Sequence, residues 1–209
     1  RNLGGSGNDE PGGLAVDASG VSVLMTVYGR PNLAGFTNSS PLPSNKANLA
    51  LVRYDLLGTA QWMRVGGSSD NDHAEAVTAD ASGTYVAYRA AQNAVNWYAQ
   101  GSSTSLASYD SGQDGQVHLS AFSAPGAALW TRNMLDADAS FIQPVSLVVG
   151  CSGLYMTGLT HSGTVFPGGI TPASNGTHDQ FYVARLNPLT GNASWVRTGR
   201  TTNDGSDHT

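Results

Sequence analysis

Gly58-Thr59-Ala60-Gln61-Trp62-Met63-Arg64-Val65-Gly66-Gly67 is the stretch that decides the fold, because it does not occur only once. It returns as Gly126-Ala127-Ala128-Leu129-Trp130-Thr131-Arg132 and as Gly191-Asn192-Ala193-Ser194-Trp195-Val196-Arg197. Trp130 follows Trp62 by 68 residues and Trp195 follows Trp130 by 65. Self-similarity at a fixed period of this size marks an architecture in which each repeat is one supersecondary unit buried against its neighbours. The units run over 1–63, 64–131 and 132–196, and a fourth starts over 197–209, so that 1–209 reads as one repeat domain.

Outward from each Trp-x-Arg segment the same order of signals appears. A Gly-rich loop such as Gly66-Gly67-Ser68-Ser69-Asp70-Asn71-Asp72 comes first. Asp17-Ala18-Ser19-Gly20 and Asp80-Ala81-Ser82-Gly83 then join two β-branched runs as hairpin turns, with Asp bracing and Gly supplying positive φ. A long irregular connection with Pro31, Pro41 and Pro43 in the first unit follows and reads as a surface loop. Asn48 to Tyr54 or Gln116 to Phe122 is the third strand, and the Trp segment is the fourth. In the second unit Val117, Leu119 and Ala121 alternate with polar neighbours, the pattern of a half-buried strand with His118 on its wet face. The third unit is the most degenerate at its start: Ile142 stands opposite Asp9 and Asp72, and Gly150 opposite Asp17 and Asp80. An aromatic recurs eight or nine residues past each second strand, at Phe36, Trp97 and Phe166.

Composition agrees with an all-β reading. Only 12% of residues are charged and 26 of 209 are Gly, which disfavours helices and their surface charge pairs. The net charge is −5 with one lysine, Lys46, so a nucleic-acid backbone would find little compensating charge. The single Cys151 excludes an internal disulfide. No apolar run reaches the roughly 18 to 20 residues of a membrane-spanning helix. The chain begins at Arg1, without Met or a signal-peptide pattern, and both ends fall at one phase of the repeat, so the sequence reads as cut from something longer.

Repeats of about 65 residues with four antiparallel strands are best satisfied as blades of a β-propeller. Closed propellers need at least about four blades, so the expectation is an incomplete propeller, completed by the same polypeptide or by other chains. The succession Trp-x-Arg, Gly-Gly-x-x-x-Asp, Val-Asp-Ala-Ser-Gly, an aromatic and Asp179-Gln180-Phe181-Tyr182-Val183-Ala184-Arg185 resembles the SBBP-type bacterial β-propeller repeat over nearly the whole chain. That resemblance implies a part of a large secreted or cell-surface protein with a binding or adhesive role and no defined catalytic residues.

Asp9, Asp70, Asp72, Asp136, Asp138, Asp204 and Asp207 follow the Trp strands. They read as loop braces of the Asx-turn kind, and the alternative is a Ca²⁺ site at Asp9, Asp70 and Asp72, because hard cations take several oxygen ligands. His73, His118, His161, His178 and His208 lack metal-ligand spacing and read as solvated or loop-bracing. No nucleophile elbow, phosphate loop or zinc motif is present, and Cys151 reads as a turn residue. Trp62, Trp130 and Trp195 read as core or inter-repeat packing. Recognition is expected on the long loops, at Arg30, Asn32, Asn38, Asn45 and Lys46, at Arg89, Asn93, Asn96, Tyr98 and Tyr109, and at His161, Asn175 and His178. The expected function is a non-catalytic binding, adhesion or scaffold module facing a glycan or protein. Its alternatives are a structural subunit whose open faces join other chains into a ring or fibre, and an enzyme with a site in the propeller channel.

Overall fold

The computed structural model describes residues 3–33, 36, 40–90, 94–110, 116–135, 142–161, 163–173 and 180–199. Among these there is no helix; the strands are β1 (Leu3–Gly4), β2 (Glu10–Asp17), β3 (Gly20–Tyr28), β4 (Asn32–Leu33), β5 (Ala47–Tyr54), β6 (Ala60–Gly67), β7 (Asp72–Asp80), β8 (Gly83–Ala90), β9 (Ala94–Ala99), β10 (Ser105–Asp110), β11 (Gln116–Ser123), β12 (Ala128–Met134), β13 (Gln143–Gly150), β14 (Gly153–Thr160), β15 (Gln180–Leu186) and β16 (Ala193–Thr198). All pairings are antiparallel.

Three sheets share one plan. The first holds β2-β3-β5-β6, the second β7-β8-β11-β12 and the third β13-β14-β15-β16, each an up-and-down meander in chain order. The register carries the same two irregularities in every sheet. A bulge separates the first and second strands at Pro11/Gly13, Ala74/Ala76 and Pro144/Ser146. Another separates the third and fourth strands at Arg53/Tyr54, Ala121/Phe122 and Arg185/Leu186, leaving the residue before each Trp without a partner. An unpaired residue bends its strand and turns the next side chain.

The sheets stack face to face. Ala15, Leu24, Leu49, Leu51 and Trp62 of the first sheet pack with Val77, Val86, Tyr88 and Phe122 of the second. On the opposite face of the second sheet, Ala76, Tyr85, Ala87, Val117, Leu119 and Trp130 pack with Leu147, Leu154, Met156, Tyr182 and Ala184 of the third. The second sheet is therefore covered on both faces, and the half-buried reading of Gln116 to Phe122 is corrected: His118 and Ser120 are as inaccessible as Val117 and Leu119. Close approach is possible between the first strands because Gly12 has no side chain; a Cβ there would sit 2.3 Å from that of Ala74.

The expected irregular connection of the second unit is also corrected. It contains the β9–β10 hairpin, and β9 pairs with β6 of the preceding sheet through Val65↔Tyr98 and Gly66↔Trp97. The first sheet thus has six strands, two of them from the second unit. Trp97 reaches the junction between sheets one and two, where its indole meets Tyr88 and Phe122 edge-on at centroid distances of 5.5 and 5.0 Å. The other recurring aromatics sit correspondingly: Phe166 is buried between sheets two and three, and Phe36 packs on the outer face of sheet one with Val52, Met63 and Val65.

Candidate interaction surfaces

In a four-stranded meander the first-to-second and third-to-fourth turns lie at one end, and the remaining connections at the other. The stack therefore has a turn rim and a loop rim, and these position different residues.

On the loop rim the aspartates act on the backbone. Asp9 accepts from the N–H groups of Gly5 at 2.9 Å and Tyr28 at 3.0 Å. Asp72, fully buried, accepts from Ser68 N–H at 2.7 Å and from Ser68 Oγ at 2.8 Å. Asp70 receives Lys46 Nζ at 2.6 Å and Asn71 N–H at 2.9 Å; these bonds hold its carboxyl below the usual value, Lys46 first, while Asp70 raises Lys46. Among the described residues no three His, Cys, Asp or Glu side chains gather into a metal-binding group. Asp136, Asp138, Asp204 and Asp207 lie outside the described residues. In the third unit Ile142 replaces the Asp brace and joins the core between sheets two and three.

The sequence-derived recognition residues divide sharply. Arg30 and Asn45 are exposed on the first connection. Lys46 is tied to Asp70, and Asn71 Oδ1 accepts the Ala47 N–H at 2.9 Å, so the first connection is fastened to the second unit's opening loop. Asn48 secures the base of that connection by donating to the carbonyls of Gly29, Pro43 and Lys46. Arg89 is paired with Glu75. Asn96 and Tyr98 are strand residues of β9, not loop residues; Tyr98 is only 7% exposed and packs with Val52, Met63 and Val65. Tyr109 falls in β10 and Asn32 in β4, and His161 is half-buried after β14. Asn38, Asn93, Asn175 and His178 lie outside the described residues.

The turn rim carries an arrangement that composition and spacing did not reveal. Trp62 Nε1 donates to the carbonyl of Ala124, in the third-to-fourth turn of the next sheet, at 2.9 Å. Arg64 Nε donates to the carbonyl of Gly126 in the same turn at 2.7 Å, and its guanidinium lies 5.1 Å from the Trp62 ring centroid. One sheet on, Trp130 Nε1 donates to the Pro188 carbonyl at 2.9 Å, and Arg132 Nε to Asn192 Oδ1 at 3.2 Å. Trp-x-Arg is thus a latch that reaches forward into the turn of the following unit. Its receiving glycine is required twice over: Gly126 has φ +86° and Gly191 φ +73°, and a Cβ would meet the Trp ring at 2.8 and 2.7 Å respectively. Trp195 departs from the expected core role, being only half-buried.

The first-to-second turns keep the expected Asp brace, but the expected positive φ at Gly20 and Gly83 is corrected: neither glycine adopts it, and each is needed because a Cβ would sit 2.0 Å from the carbonyl oxygen of Tyr54 or Phe122 on the third strand. Asp17 accepts from the N–H groups of Ser19 and Gly20, and Asp80 from those of Ser82 and Gly83. Arg53 adds a buried ion pair to Asp17 at 2.5 Å and a bond to Ser22 Oγ, which itself meets Thr84 Oγ1 of the next sheet at 2.9 Å. Burial raises the Asp17 carboxyl, but Arg53 and the Ser19 bonds outweigh it and leave the pKa lowered. Cys151 is exposed in the β13–β14 turn with a free thiol.

His73 is exposed as expected, but His118 is not solvated. It stacks on Tyr88 with ring centroids 5.5 Å apart, and burial lowers its pKa to about 4. His208 lies outside the described residues. No helix among the described residues is long and apolar enough to cross a membrane. No protein-family model and no curated protein matches the chain.

Proposed function

We propose that the chain is a non-catalytic scaffold, a run of SBBP-like propeller blades from a secreted or cell-surface protein, that offers its loop rim to a protein or glycan. The observation that carries this reading is the division of labour between the rims. The turn rim is occupied by latches, whereas the loop rim presents Arg30 and Asn45 on a connection braced by Asn48, Lys46 and Asp70. Recognition residues on loops held by a rigid scaffold are the usual arrangement for binding modules. The test is a glycan and matrix-protein array probed with the wild type and with Arg30→Ala/Asn45→Ala, circular dichroism confirming equal folding. Loss of signal in the double variant supports the loop rim; full retention by that variant, or no signal from the wild type, rejects it.

A second reading, as a structural subunit, is favoured by the apolar side chains exposed at the two ends of the stack: Leu14 and Val16 on the first sheet, Val148 and Phe181 on the third.

A further inference from the structure

The two junctions inside the chain define what each end of the stack lacks. Every junction joins a forward-reaching Trp-x-Arg to a third-to-fourth turn with a positive-φ glycine. At the third sheet the donor half is present, and among the described residues no turn receives it. Arg197 lies 5.9 Å from the Trp195 ring centroid. It folds back on the Val196 carbonyl at 3.0 Å, as Arg64 and Arg132 fold back on Met63 and Thr131. Tyr155 stands beside Trp195 at 6.3 Å as Tyr85 stands beside Trp130 at 6.2 Å. Among the described residues no carbonyl accepts the Trp195 indole N–H.

At the first sheet the receiving half is present, and among the described residues no latch fills it. Tyr54↔Ala60 and Phe122↔Ala128 are equivalent register pairs, so Leu56 and Gly58 stand where Ala124 and Gly126 stand. Gly58 has φ +81°, and the direction its Cβ would take is open space, whereas that of Gly126 is filled by Trp62 and Arg64. An open concavity of about 580 Å³ covers this turn, lined by Val21, Tyr54 and residues 55–59.

The flanking faces match as well. Leu14 and Val16 occupy the positions of Val77 and Ala79, which pack against the preceding sheet. Val148 and Phe181 occupy those of Thr78 and Val117, which are buried against the following sheet. One chain therefore carries both halves of a junction it already makes twice.

We infer that a second copy of this chain docks head to tail, its Trp195 and Arg197 donating to the carbonyls of Leu56 and Gly58 and its third sheet covering Leu14 and Val16. The contact is heterologous, so it closes into a ring or runs on as a filament. Two copies bring six meander sheets, within the roughly four to eight blades of closed propellers. This inference rests on the structural-subunit reading and does not depend on the loop rim binding anything.

The test is sedimentation velocity of the 209-residue chain over a wide range of concentration. The wild type is expected at a multiple of 21.6 kDa. Trp195→Ala/Arg197→Ala removes the donor, and Gly58→Arg fills the receiving turn with a like charge; each alone is expected to remain a single chain where the wild type assembles. Leu14→Asp/Val16→Asp, on already exposed positions, serves the same purpose should Gly58→Arg fail to fold. An equimolar mixture of a donor variant and a receiver variant is expected to restore a 1:1 pair, since one intact junction survives.

A wild type that stays monomeric at every concentration overturns the inference and assigns the faces to other repeats. Variants that assemble like the wild type, or a mixture that stays monomeric, also overturn it. A monomer that still binds on the array sinks the docking inference alone, and an assembly without array binding sinks the loop-rim reading alone.

Discussion

The junction between sheets one and two and the junction between sheets two and three use one latch and one recurring aromatic but differ in how they are reinforced. The first is reinforced by a strand exchange, because β9 of the second unit pairs with β6 of the first. It also holds polar groups inside: Ser22 with Thr84, and Tyr88 Oη between Ser120 and the Trp97 indole N–H. The second is closed by Met134, Ile142, Phe166 and Tyr182, and among the described residues its connection contributes the bridges Leu135↔Val165 and Phe166↔Ile170 and no hairpin. The comparison separates what every repeat must have from what one pair of repeats has added. A forward Trp, its Arg and a receiving glycine are the common part; the hairpin is local reinforcement.

The most damaging way to break the first junction is Trp97→Ala, which removes a buried ring shared with Tyr88 and Phe122. A loss of about 3–5 kcal/mol is expected in denaturant unfolding, with amide exchange rising along β6 and β9. Phe166→Ala should cost a similar amount and leave β6 protected. Equal exchange in both variants would show that the hairpin adds nothing.

Next in size is Gly126→Val, which forces a β-branched residue to φ +86° and drives its Cβ into Trp62 and Arg64. About 3 kcal/mol is expected, against about 1 kcal/mol for Gly58→Val, where only the backbone preference is violated. Equal costs at the two positions would mean that the glycine serves its turn and not the latch.

Acid should distinguish the junctions too. His118 faces the first one and has its folded pKa lowered to about 4 by burial, from an ordinary value of 6.5. The unfolded chain therefore binds more protons between these values. The stabilisation is complete above pH 6.5 and is lost as pH falls, by about 2 kcal/mol from pH 7 to 5. His118→Gln should flatten that part of the unfolding-versus-pH curve; an unchanged slope would place the titration elsewhere.

The smallest effects are expected from Trp62→Phe and Trp130→Phe, which delete one indole N–H and trim part of a buried ring at each junction, and leave a carbonyl without its donor. Each should cost about 1–2 kcal/mol, and the pair should be additive because the junctions share no hydrogen-bond partner. A clear excess in the double variant would reveal coupling through the second sheet.

Much of the local order was legible. Asp17, Asp80 and their glycines announced the hairpins, and the recurrence of Trp62, Trp130 and Trp195 announced units of equal build. Turn chemistry and β-branched runs act over a few residues, so they survive reading without a partner. Residues 94–110 misled for the opposite reason. Asn96, Tyr98 and Tyr109 sit between turn signals and look like loop decoration, yet β9 finds its partner more than 30 residues upstream, at Val65 and Gly66. His118 misled similarly, because alternation tells which residues share a face and not whether the other face is wet. The Trp-x-Arg motif was visible as a pattern but not as a latch, since its acceptors at Ala124 and Pro188 are carbonyls, which every residue has.

The sequence by itself determined the β class, the repeat, the turns and the strands that flank them, because each rests on short-range backbone preference and periodicity. Only the tertiary structure decided that the second sheet is buried on both faces, that a hairpin crosses from one unit to another, and that Trp62 and Trp130 each reach into the third-to-fourth turn of the following sheet. Those facts depend on which surfaces meet. That choice is made by the burial of apolar area and the pairing of backbone groups across distant segments, neither of which is written at any single position.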